Sequence, residues 1–147
     1  MQNETVDTLN NLIETLKDGQ EGFAAAAKDV KDPNVRSTFN QFATERGQMV
    51  EELASQVRQY GEDPDTDGSG TAAVHRGWMN LKSALGGGEK SILDEAERGE
   101  DQAVSDFEKA LQNRKLPPDV EQVVRSQYTR VKRTHDQVKM LRDSWKK

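Results

Sequence analysis

A chain of 147 residues and 16.5 kDa can bury one continuous core and is too short for two sizeable ones. Hydrophobic residues make up 33%, charged residues 32% and aromatics 5%, with Ala, Leu and Val supplying most apolar positions, a balance that favours narrow-striped helices over wide sheets. The absence of cysteine excludes disulfides, thiolate metal sites and cysteine nucleophiles, and a net charge of −5 argues against nucleic acid as the main partner.

From Leu9 the apolar positions run Leu9, Ile13, Leu16, Phe23, Ala27 and Val30, the three-and-four spacing of a helix stripe, with Gln20 in the same row. This predicts a first helix over about 4–31. Asp32-Pro33 ends it and opens a second over about 33–60, since Asp accepts from free amides and Pro fits the first helical position. Val35, Phe39, Phe42, Met49, Leu53 and Val57 form its stripe, and Gly61 suits a left-handed cap. Residues 61–70 (GEDPDTDGSG) read as a linker. Val74, Trp78, Leu81 and Leu85 predict a crossover helix over about 71–85, and Gly86-Gly87-Gly88 a break or hinge before a third long helix over about 89–112. There the row is Leu93, Ala96, Glu100, Ala103, Phe107 and Leu111. Pro117-Pro118 opens a fourth long helix over about 117–144, with Val120, Val124, Tyr128, Val131, His135, Val138, Arg142 and Trp145 in its row. Gly19-Gln20 and Gly99-Glu100 occupy matching places, so the chain reads as one helical hairpin written twice: an all-α four-helix bundle of two antiparallel hairpins with a long crossover containing an extra short helix.

Polar residues fall in rows that should be buried. Gln20, Glu45, Glu100 and His135 are placed to converge at mid-bundle, where an unpaired polar group costs about 1–3 kcal/mol and a lone charge more. The expectation is a hydrogen-bonded polar layer of Gln20, Glu45, Glu100, Lys132 and His135, in which Lys132 or Arg46 neutralises Glu45 or Glu100 and the layer fixes helix register.

The segments at 16–23 (LKDGQEGF), 39–46 (FNQFATER), 75–78 (HRGW), 97–101 (ERGED) and 116–120 (LPPDV) resemble a bacterial family of uncharacterised ferritin-like four-helix-bundle proteins, distantly similar to rubrerythrin. The resemblance implies a ferritin-like bundle, in some similar proteins associated with stress responses. A ferritin-like di-iron centre takes one Glu from each of two helices and Glu-x-x-His from each of the other two. Carried over by residue, the set becomes Gln20, Glu45 with Gln48, Glu100, and Lys132 with His135, so Glu45, Glu100 and His135 survive. Neutral amides at 20 and 48 and a lysine at 132 weaken cation binding. The leading expectation is a non-catalytic bundle with a structural, stress-associated or partner-binding role and no cofactor. The alternative is an iron- or manganese-binding oxidase or iron-handling protein using Glu45, Glu100 and His135, with Gln20 or Gln48 completing an altered site.

Other candidates carry less. His75 and Trp78, one turn apart, could line a small pocket but read more readily as structural. No G-x-S-x-G, P-loop or paired-Cys pattern supports hydrolase or nucleotide chemistry. Residues 125–147 hold eight Lys/Arg against two Asp, leaving −11 elsewhere, so the basic last helix is expected to answer acidic neighbours rather than nucleic acid. A homodimer by hairpin exchange at the glycine hinge, or a helical protein partner near Trp145, fits the pattern. The longest apolar run, Phe23 to Ala27, is far below a bilayer span, and Met1-Gln2-Asn3-Glu4 has neither a basic start nor an apolar signal core. No membrane association and a cytoplasmic location are therefore expected.

Overall fold

The computed structural model describes residues 2–64, 78, 81–112 and 116–145, and among these the apolar stripes at three-and-four spacing produce five helices. They are α1 (Gln2–Asp29), α2 (Pro33–Gln59), the short α3 (Leu81–Leu85), α4 (Glu89–Leu111) and α5 (Pro118–Ser144). No strand occurs among the described residues. The four long helices form an all-α four-helix bundle in which α1 packs most extensively on α2 and α4 on α5. α1 also meets α4, α2 meets α5 more briefly, and α3 lies against α4 and α1. Among the described residues no helix is long and apolar enough to cross a membrane. His75, most of the 61–70 linker and most of the predicted 71–85 helix lie outside the described residues.

Local chemistry accounts for the helix ends. Asp32 caps α2, its Oδ1 accepting from the backbone amides of Asn34 at 2.8 Å and Val35 at 3.4 Å, and Pro33 supplies the first helical residue. The Asp32 amide donates to Glu89 Oε2 at 3.0 Å, which ties the α1–α2 turn to the start of α4. At the other end of α2, Gly61 sits at φ 76° and donates to Arg58 O, while the Glu62 amide reaches back to Val57 O, a Schellman closure. Gly88, at φ 94°, provides the left-handed residue that turns the chain from α3 into α4.

The apolar core is in two parts. One contains Leu9, Ile13, Leu16, Met49, Leu53, Val57, Phe107, Val124 and Val131. The other contains Phe23, Ala27, Phe39, Phe42, Trp78, Leu93, Ala96 and Val138. On every long helix the change of cluster spans about two turns: Leu16 to Phe23, Phe42 to Met49, Ala96 to Ala103, and Val131 to Val138. A polar slice separates the two parts.

Trp78 belongs to the second part. It is buried, edge-on to Phe23 with ring centroids 5.0 Å apart, and its indole fills the space left by Gly22 on α1 and Gly99 on α4. A β-carbon at Gly99 would stand 2.5 Å from the indole Nε1, so both glycines are needed for close approach rather than for backbone freedom. Trp145 is partly buried against the same cluster.

Candidate functional site

The centre of the slice is an ion pair. Arg46 on α2 donates from Nη1 to Glu100 Oε2 at 3.0 Å and from Nη2 to Glu100 Oε1 at 2.5 Å, with side-chain exposures of 1% and 0%. This bidentate geometry uses both carboxylate oxygens and fixes the guanidinium plane. The Arg46 guanidinium carbon also lies 5.6 Å from the Phe23 ring centroid, a cation–π contact out of water. Gly19 admits the arginine: a β-carbon there would be 2.5 Å from Nη1. Within the first core part, between Val124 and Val131, buried Gln127 donates from Nε2 to Met49 O at 3.1 Å and to Glu52 Oε1 at 2.7 Å.

The inner row differs from the expected one by a single residue on three of the four long helices. Of the four residues expected to converge, only Glu100 lies in the fully buried row. On α1 the buried position is Gly19 and Gln20 stands beside it, half-buried, with its amide over Gly47. On α2 the buried residue is Arg46, while Glu45 is 31% exposed and pairs with Arg130 Nε at 3.2 Å. On α5 the buried series is Val120, Val124, Gln127, Val131, Thr134 and Val138, which leaves Tyr128 and His135 on the flank. Strict alternation of three and four selects Gln127 and Thr134, and one residue further along a helix turns the side chain by about 100°. Lys132, expected in the buried layer, is exposed, and so is Gln48, the possible additional metal ligand. Arg130, half-buried and paired with Glu45 and Glu52, and the buried Gln127 are polar residues that sequence reasoning overlooked; continuing the three-and-four series through Val120, Val124, Val131 and Val138 would have found Gln127.

His135 joins a second group along the α4–α5 seam. Its Nε2 is 2.6 Å from Asp101 Oδ1 and its Nδ1 is 3.0 Å from Asp136 Oδ1. Glu97, one turn before Asp101, forms an ion pair with Arg142 Nη1 at 2.8 Å and comes near the same ring. Burial favours the neutral imidazole, but the hydrogen bonds to Asp136 and Asp101 and the charges of both carboxylates outweigh it and raise the His135 pKa above the ordinary histidine value.

Residues 4–113 match the family model described as Domain of unknown function (DUF2383). The chain belongs to that family. The DUF2383 match spans α1 to α4, so it contains Arg46, Glu100, Glu97 and Asp101 and ends before α5 and His135. No curated protein matches the chain.

The di-iron centre implied by the ferritin-like resemblance does not fit the residues present. Two cations need bridging carboxylates with free oxygens. Both oxygens of Glu100 are taken by Arg46, Glu45 is held by Arg130 and His135 is turned to Asp101 and Asp136. A guanidinium stands where positive ions would have to enter, and the amides of Gln20 and Gln48 offer neutral donors at most.

Proposed function

We propose that this DUF2383 chain is a ferritin-like bundle of two antiparallel hairpins, α1 with α2 and α4 with α5, joined by a crossover, with a structural, stress-associated or partner-binding role and no catalysis at its centre. The observation that carries this reading is the completely buried Arg46–Glu100 pair, which provides internally the positive charge that the inward carboxylate requires. The pair links the two hairpins at one level, so its chief product is register: a slip of either helix would bury one unpaired charge. The rival reading, an iron- or manganese-dependent oxidase using Glu45, Glu100 and His135, requires three side chains with three separate sets of partners to abandon them together.

Metal analysis and ferrous-iron oxidation by untagged protein test this. The proposal expects no iron or manganese whose retention depends on Glu45, and no oxidation above the buffer rate. Stoichiometric iron lost in Glu45→Gln, with turnover of ferrous ion, would support the oxidase instead.

A further inference from the structure

We propose that Glu97, Asp101 and His135 form a binding site for one divalent transition cation of the zinc class, clipping α4 to α5 at the edge of the bundle. One ligand atom from each residue can be chosen so that all three lie within 4.8 Å of one another. With metal–ligand bonds of about 2.0–2.2 Å, donors around a tetrahedral ion stand roughly 3.4 Å apart. Small rotations of the two acidic side chains reach that spacing: Asp101 is mostly in water, and the Asp101–His135 hydrogen bond at 2.6 Å opens to admit the ion. One imidazole nitrogen with two carboxylates selects borderline cations over calcium or magnesium, which favour all-oxygen sites.

Three features distinguish the group from a chance acidic patch. Glu97 and Asp101 are one helical turn apart on α4 and His135 arrives from α5, so the donors surround a point between two packed elements. Glu97 and His135 are 13% and 18% exposed, held by packing rather than free in solvent. Asp136, outside the trio, takes the Nδ1 side of the ring and leaves Nε2 directed at Asp101, the outer carboxylate–histidine arrangement common at metal centres. Arg142 competes for Glu97, but its other nitrogen already donates to Asp143 at 2.8 Å, so it keeps a partner when Glu97 turns to the ion. The Arg46–Glu100 pair is untouched by occupancy here, and the proposal stands apart from the non-catalytic reading above.

The test is a Zn2+ titration of the full, untagged chain against a chromophoric chelator near neutral pH, with Co2+ absorption as a second probe. One saturable site per chain is expected. Asp101→Asn and His135→Ala should each weaken it at least about tenfold and abolish the Co2+ bands, and Asp136→Asn should weaken it about tenfold. Arg142→Gln should strengthen binding severalfold, a gain that misfolding cannot imitate. Glu45→Gln should leave it unchanged. Absence of saturable binding, affinity undiminished in His135→Ala and Asp101→Asn, or loss of the site in Glu45→Gln would each overturn the proposal.

Discussion

Glu100 receives two hydrogen bonds from Arg46 at a level of the bundle where neither side chain reaches solvent. Removing one partner strands the other charge, whereas replacing both with apolar groups removes the desolvation cost along with the attraction. Arg46→Met and Glu100→Leu should each lower unfolding free energy by about 3–5 kcal/mol, and the double variant by much less than the sum. Urea titration of the four proteins measures the cycle. Additive losses would mean that the pair does not act as a unit.

Gly99 and Gly47 make a contrasting pair. Gly99→Ala forces a methyl against the rigid Trp78 indole and should destabilise by about 1–3 kcal/mol. Gly47→Ala meets only the tip of Gln20, with Nε2 2.8 Å from the new carbon, and the helix gains about 1 kcal/mol from losing a glycine. It should therefore be near neutral or stabilising. Thermal melts of both variants in a Trp145→Phe background, followed by Trp78 fluorescence, check the order.

The cap at Asp32 supports α2 through two backbone amides and, through its own amide, anchors Glu89. Asp32→Ala removes only the side-chain part, so a loss of about 1 kcal/mol is expected, with the Glu89 contact retained. Chemical denaturation gives the figure, and a loss of several kcal/mol would mean that the whole α1–α2 turn had rearranged.

The raised pKa of His135 has a definite consequence in chelated, metal-free protein. Its extra stabilisation is fully present below the ordinary histidine value of 6.5 and disappears as pH rises through the higher folded value. The stability difference between wild type and His135→Gln should be largest in mild acid and shrink above neutrality. A difference that grew with pH would contradict the ion pairing with Asp101 and Asp136.

The helices were legible because spacing is a geometric consequence of 3.6 residues per turn: Val35, Phe39, Phe42, Met49, Leu53 and Val57 all lie on the buried side of α2. The centre was less so, for the same reason. In a row where neighbouring residues are both polar, loose three-or-four spacing admits either Glu45 or Arg46, and either Thr134 or His135; only strict alternation along α5 singles out Thr134. At 45–46 the competition is decided by partners on other helices. Gly19 leaves room for a guanidinium and Glu100 supplies its counter-charge, so Arg46 turns in. Neither fact belongs to α2. The likeness between Gly19-Gln20 and Gly99-Glu100 likewise concealed two different uses, since one glycine admits Arg46 and the other Trp78.

Anomalous diffraction from crystals grown with ferrous iron looks at Glu100 itself. The Arg46 guanidinium should lie on both oxygens of Glu100, with no anomalous peak within ligand distance of that carboxylate, whatever binds at the α4–α5 seam. One or two peaks coordinated by Glu100 and Glu45, with Arg46 displaced, would mean that the bundle centre holds metal and that the buried ion pair gives way to it.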